Sequence, residues 1–332
     1  MKNIDKLPSV LGVGNALVDI ITVLENDLIL EEFGLPRGSM TLVGAELSKK
    51  IYDATYFNKR EITTGGSVAN TMRSLASLGG RGGYMGKIGN DKLGKIFKDE
   101  FEKKGIKTHL FLSEKDTGRV MGLVSTDSER TMATYLGAAA ELKPDDFSFP
   151  VFDDYDYLYI EGYLVQDHAL IKTGVEMAKS AGLKVAIDLS SFNVVEANLD
   201  FLINLIKNSV DIVFANEEEA TSFTGKSPEK ALDEIADMCE LAIVKIGKEG
   251  SFIKRGSEKV KINSIIANAV DTTGAGDGYA AGFFYGLVND FSLEKCGNIA
   301  ALVSGKVVEV MGANLSDNTW TEINKKIQDI SS

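Results

Sequence analysis

The strongest constraint on this chain is a rhythm in which short, β-branched apolar runs alternate with longer amphipathic stretches. Runs at residues 10–13, 157–160, 185–187, 212–214 and 242–246 read as strands. Helical patterns over 167–181, 200–208 and 227–239 lead into the last three of them. Parallel strands need a crossover between them, and an amphipathic helix supplies one while covering a face of the sheet. The expectation is an α/β chain around a mainly parallel sheet. Two helices rich in Ala and Gly, 276–288 and 292–310, close the sequence.

Two segments interrupt the rhythm. Residues 20–43 and 117–137 read as short strands and turns, with a hairpin about residues 126–129. They form either a small β-rich appendage to the larger unit or ordinary surface excursions. At 332 residues, one large domain with an appendage, or two domains, is the natural division.

Charge and cysteine content exclude several function classes. A formal charge of −12 opposes nucleic-acid backbones and anionic membranes. Cys239 and Cys296 are too few for a disulfide framework and both fall in segments that read as helical, so a reduced, cytoplasmic setting is expected. The opening MKNIDKLPSV lacks an apolar signal core, and no run of 18 apolar residues occurs. With His109 and His168 as the two histidines, a structural zinc or a His-based triad has little support.

The sharpest local signal is Asp271-Thr272-Thr273-Gly274-Ala275-Gly276-Asp277 before an apolar helix. A glycine-rich turn at a helix N-terminus offers unpaired amides and the positive end of the helix dipole, which together hold an anion. Asp277 is ill-suited to hold a phosphate but well placed to take a proton from a hydroxyl attacking one. The same residues also suit a plain capped helix with a glycine-rich entry. Two glycine patterns fail as nucleotide fingerprints. Gly12-Val13-Gly14-Asn15-Ala16-Leu17 has Leu17 where a dinucleotide fold requires its third glycine. The stretch 89–96 satisfies GxxxxGK but then places Ile96 where a P-loop needs Ser or Thr, and no long buried strand is expected before it.

The sequence DTTGAGDGYAAGFF resembles the C-terminal signature of the ribokinase/PfkB superfamily of carbohydrate and nucleoside kinases. Two further elements match in order: Gly65-Gly66-Ser67-Val68-Ala69-Asn70, followed by Gly79-Gly80 and residues 86–91, and then Asn216-Glu217-Glu218-Glu219. Order and spacing agree over nearly the whole chain. The resemblance implies a ribokinase-like three-layer α/β sandwich with a small β-sheet lid. Its expected boundaries are 1–19, 44–116 and 138–332 for the large unit, and 20–43 with 117–137 for the lid over the acceptor.

Asp277 is then the expected base, with Gly274, Ala275 and Gly276 forming the anion hole. Gly66, Ser67, Asn70 and Asp19 are the expected partners of acceptor hydroxyls. Asn216, Lys245, Gly247, Gly250 and Asn298 fall at ATP-binding positions, although Lys245 stands where the family usually has Thr. Glu219 is expected to act on Mg2+ through water, because Mg2+ gives up hydration reluctantly. Asp271 and Thr273, with backbone near residues 308–316, are the candidates for a monovalent cation such as K+.

Within the superfamily, GNALVDI, GSMTLV, GGSVANT and DIVFANEEEAT most resemble adenosine kinases. Asn15, Leu17, Met40, Leu42, Met132 and Leu136 would form an apolar wall beside a sugar or base. Tyr163, in Gly162-Tyr163-Leu164, falls where animal-type enzymes carry an aromatic pair, a departure that leaves the stacking ring open. The expected activity is ATP-dependent phosphorylation of a nucleoside hydroxymethyl group, adenosine first. A ribose- or fructose-class sugar kinase and a non-catalytic nucleoside or sugar sensor are the alternatives. Expected partners are a small-molecule nucleoside or sugar and, for assembly, a monomer or homodimer, with no nucleic acid or membrane.

Overall fold

The computed structural model describes residues 9–127 and 129–331. Residues 1–8 and 332 of the expected large unit and Ser128 of the expected lid lie outside the described residues. In chain order the strands are β1 Ser9–Val13, β2 Leu17–Val23, β3 Met40–Leu42, β4 Arg60–Gly65, β5 Arg81–Gly89, β6 Lys107–Ser113 and β7 Gly118–Val124. They continue with β8 Arg130–Tyr135, β9 Tyr157–Glu161, β10 Lys184–Asp188, β11 Ile212–Asn216, β12 Leu241–Lys245, β13 Ser251–Arg255 and β14 Glu258–Ile262.

Nine of these make one sheet in the order β14-β13-β12-β11-β10-β9-β1-β5-β6. Every pair from β12 to β6 is parallel, and the β12-β13-β14 edge is antiparallel. Strand residues alternate between two cores. Val10, Tyr159, Ala186, Phe214 and Ile243 face the helices Ser67–Ser77, Ala275–Val288 and Leu293–Val307. Leu11, Ile160, Ile187, Val213 and Val244 face His168–Ser180, Leu199–Ser209 and Pro228–Ala236. Burial on both faces accounts for the near-continuous apolar runs and gives the expected three layers.

The remaining five strands form a second sheet, β3-β8-β7-β2-β4. Its membership departs from the sequence-based boundaries. β4, expected in the large unit, pairs antiparallel with β2, and β2 begins at Leu17 rather than at residue 20. REITTG hides its strand character because it is an edge whose first residues meet solvent, so no alternation or apolar run marks it. A second correction concerns β5, a nine-residue strand buried over its last seven, which does precede Gly89. The P-loop reading fails all the same. Ile96 holds the hydroxyl position, and Asp91 fills the turn by accepting bonds from the Gly94 amide and the Thr117 amide and hydroxyl. Cys239 lies just past the helix Pro228–Ala236 rather than within it, whereas Cys296 is buried in Leu293–Val307.

Candidate active site

The parallel strands all end on one edge, where open α/β sheets place their ligands. There the register sets Asp188 beside Glu161 and Lys245 beside Asn216. Above this edge lie the N-terminus of the Ser67–Ser77 helix and that of Ala275–Val288.

Asp277 sits in the first turn of Ala275–Val288. Its Oδ1 accepts a hydrogen bond from Ser67 Oγ at 2.7 Å and its Oδ2 one from Asn70 Nδ2 at 2.9 Å. Both donors, expected to meet acceptor hydroxyls, here fix the carboxylate. Asn70 is in turn oriented by Arg73, whose Nη2 donates to Asn70 Oδ1 at 2.6 Å while Nη1 pairs with Glu100 at 3.0 Å. Enclosure raises the Asp277 pKa to about 6, against the hydrogen bonds from Asn70 and Ser67 that hold it down. Such a group is ionised at neutral pH yet basic enough to take a proton. Gly274 adopts φ +77°, and a Cβ there would come within 2.4 Å of the Ala313 Cβ, so only glycine makes this entry without strain. The Ala275 amide donates to the Thr272 carbonyl at 3.1 Å, and the first amides of the helix have no acceptor within it.

Lys245 reaches the same spot from β12. Its Nζ lies 3.1 Å from the point a Cβ on Gly276 would occupy and pairs with Asp188 Oδ2 at 3.1 Å. Burial alone would lower the ammonium pKa, but the Asp188 and Glu219 carboxylates outweigh it and keep the group charged. Asn216 and Glu219 make a capping box at the helix Glu217–Thr224. The Asn216 amide and Nδ2 donate to Glu219 at 2.8 and 2.7 Å. Burial and then Asp188 push the Glu219 pKa upward, with Lys245 opposing. Gly247 and Gly250 shape the turn between β12 and β13. At Gly250 φ is +96° and a Cβ would strike the Ile262 carbonyl, so this backbone demands glycine. Asn298 lies on Leu293–Val307, half-buried, on the helix that covers Ala275–Val288.

The acceptor side draws on other elements. Burial raises the Asp19 pKa to about 6, against the charges of Arg130 and Arg73. Gly65 lies so close to that carboxylate that a Cβ would overlap it, and at Gly66, φ +99°, a Cβ would collide with the Asn15 carbonyl. Asn15 donates from Nδ2 to Glu161 Oε1 at 2.5 Å, and burial lifts Glu161 to about 7. Leu17, Val120 and Ala139 form a small apolar cluster joined by Met132 and Leu136. Met40 is the register partner of Met132, but Met40 and Leu42 are 49% and 63% exposed, so neither is yet part of an enclosed wall. Leu42 and Leu136 line a pocket of about 360 Å3 with Lys115 and Tyr135, and none of Asp19, Ser67 or Asp277 borders it. Tyr163 is 40% exposed and donates from its hydroxyl to the Ser190 carbonyl at 3.3 Å.

Sequence reasoning missed Glu161, Asp188, Arg73 and Arg130. The first two had a readable signal, an acid closing an apolar strand at the carboxyl edge; Arg73 had a weaker one, standing one helical turn after Asn70, and Arg130 had none. Asp271, expected to help hold a monovalent cation, has other partners. Asp271 Oδ1 accepts from the Thr273 amide at 2.9 Å, and Oδ2 accepts from Arg130 Nη1 and the Gly312 amide, both at 2.8 Å.

Asp277, the glycine-rich helix end and Lys245 thus meet at one place on the sheet edge, as a phosphotransferase that acts on an alcohol group would require. Comparison with known proteins gives the family. The model of the pfkB family carbohydrate kinases matches residues 39–320, and the chain belongs to that family. It is similar to a solved adenosine kinase from Sinorhizobium meliloti, with 35% identity and a TM-score of 0.85 over 97% of this chain and 100% of that one. Among curated relatives, adenosine kinase 2 of Arabidopsis thaliana is 26% identical over 91% of this chain and 94% of its own length. The 5-dehydro-2-deoxygluconokinase of Geobacillus kaustophilus is 25% identical over 90% and 94%. Among the described residues no helix is long and apolar enough to cross a membrane.

Proposed function

We propose that this kinase transfers the γ-phosphate of ATP to the hydroxymethyl group of a nucleoside, adenosine in first place, with Asp277 as the base. One observation carries the chemistry. The Asp277 carboxylate, which would take the hydroxyl proton, is fixed by Ser67 and Asn70 and belongs to the first turn of Ala275–Val288, whose amides would hold the phosphate. A nucleophile held there would lie close to a phosphate on those amides, so positioning and charge stabilisation would act at one place.

Lys245 would neutralise charge on the transferring group, and the Gly247–Gly250 turn would pass the nucleotide towards Asn298. No cluster of three metal-ligating side chains occurs among the described residues. Mg2+ therefore fits as an ion carried by the nucleotide phosphates, with Glu219 reached through water. When bound, it would offset phosphate charge.

The nucleoside reading is supported by the apolar cluster of Leu17, Met132 and Leu136, which suits a flat base better than a hydrated sugar. It is also supported by the similarity to adenosine kinases. The small sheet would act as a lid, bringing Met40 over the acceptor and excluding water that competes for the phosphoryl group. A sugar kinase is the second reading, favoured by the polar set of Asp19, Asn15 and Glu161, which could recognise hydroxyls without a base. Adenosine and 5′-deoxyadenosine separate the chemistry from binding. Adenosine should yield AMP, while the deoxy analogue should compete with it and never be phosphorylated. Phosphate transfer to the deoxy analogue would remove the hydroxymethyl group from the proposal.

A further inference from the structure

The corner around Asp271 fits a guanidinium better than a metal ion. Three of the roughly four acceptor directions of its carboxylate are taken, by the Thr273 amide, the Gly312 amide and Arg130 Nη1. The nearby Val308 carbonyl is occupied as well, accepting the amides of Val270 at 2.7 Å and Asp271 at 3.3 Å. A K+ ion would have to displace several of these bonds to find oxygen ligands, at a place where a positive charge already sits.

That charge comes from the other sheet. Arg130 opens β8, opposite Val124 of β7, and reaches across to the large unit. Room for it is provided by Gly122, where a Cβ would lie 3.3 Å from Nε and 3.4 Å from Nη2. Both partners of the ion pair are nearly buried, with side-chain exposures of 10% and 12%. Burial tends to raise the Asp271 pKa, but the bonds from Thr273 and Gly312 and the Arg130 charge outweigh it and hold it low. Removing one member of such a pair leaves the other charge buried and uncompensated.

We propose that Arg130 is the chain's built-in replacement for a monovalent cation, ordering the 271–277 turn through Asp271 whenever the small sheet is seated. The inference rests on reading that turn as the phosphate site. In a cation-activated arrangement the turn would be set by the salt in solution. Here it is set by the position of β8, so ordering of the phosphate site is tied to the sheet that carries the acceptor wall. Arg130 is a positioning residue acting through Asp271.

The test compares KCl with choline chloride at equal ionic strength on the full chain. For the wild type, amide exchange over 271–277, melting temperature and turnover should each be indifferent to the cation, with rates agreeing within about twofold. In Arg130→Ala, exchange over 271–277 should quicken by about tenfold or more, and guanidinium or K+, but not choline, should slow it again. Arg130→Lys should behave nearly as the wild type, since it keeps the charge. Stimulation of the wild type by K+ of about tenfold or more would overturn the proposal. So would unchanged exchange in Arg130→Ala, or equal recovery in every salt, which would mark a merely structural role. If Arg130→Ala fails to fold, the wild-type salt comparison and Arg130→Lys still decide. Exchange and melting need no acceptor, so a failure of the nucleoside reading would leave these results standing and be seen separately as absent turnover.

Discussion

At the proposed phosphate end of the site, the proposed base Asp277, the amides proposed to bind the phosphate and Asp271 come from seven consecutive residues, 271–277. The acceptor end draws on β2, β3, β7 and β8, with Asn15, Gly65 and Glu161 added from three further places in the chain. The phosphate end is also finished: Asp277, Lys245 and Asp271 each have fixed partners. At the acceptor end Met40 and Leu42 stand in solvent. In the proposed reading, chemistry common to many alcohols resides in one turn at the start of a largely buried helix. Choice among alcohols would then reside in a thin sheet with its own edges. A site divided in this way can change its acceptor by exchanging side chains of the sheet while the phosphate turn stays as it is.

The largest test of this division is Asp277→Asn. Turnover should fall by about 100-fold or more while the ATP dissociation constant stays within about twofold, because a base is lost and an anion site kept. Wild-type activity should decline as pH drops through about 6, where Asp277 takes up its proton. The same substitution should stabilise the fold. The folded pKa of about 6 exceeds the ordinary 3.8, so the unfolded chain loses its proton first and stability falls as pH rises between those values. Relative to wild type, Asp277→Asn should therefore gain roughly 1–3 kcal/mol at pH 8 and lose that advantage towards pH 4, measured by urea unfolding. Near-wild-type turnover would move the base elsewhere.

Next in size is Asp19→Ala. The acceptor KM should rise about 10- to 100-fold with the ATP KM unchanged within about twofold, the loss expected for charged hydrogen bonds to hydroxyls. Equal damage to both constants would show that the two ends are not separable. The smallest effect is one of protection. A bound nucleoside should slow amide exchange in β3 and β8 severalfold, whereas ATP alone should act mainly on 242–250 and 271–277. Equal protection of both regions by either ligand would argue against a separate acceptor lid.

The difference between the two ends also decided what the sequence disclosed. Strands β1 and β9 to β12 are buried on both faces and read as apolar runs, and Asp277 lies in a contiguous glycine-rich turn that requires a particular backbone. Both are local properties. β4 is a solvent-facing edge, and the boundary of the small sheet follows from its pairing with β2 across about forty residues, which no local pattern contains. Arg73 meets Asn70 one turn away on the same helix, a local spacing, but its pairing with Glu100 is made by the fold, and Arg130 reaches Asp271 between the two sheets across 141 residues. An arginine in a polar stretch gives no sign of such a partner. Ser67 and Asn70 were found by their motif, but their engagement with Asp277 depends on two helix ends brought together by the fold.

The central claim is a kinase whose acceptor is a nucleoside, and the ratio of kcat/KM values between adenosine and sugars tests it most directly. ADP release from MgATP should be followed with adenosine, ribose, fructose and 5-dehydro-2-deoxygluconate under one set of conditions, with Asp277→Asn as the blank. Adenosine should exceed every sugar by about 100-fold or more, as expected where a base fills an apolar wall that a sugar leaves empty. A sugar that matches or surpasses adenosine, with its turnover likewise abolished in Asp277→Asn, would contradict the nucleoside assignment while leaving the phosphate end of the account in place.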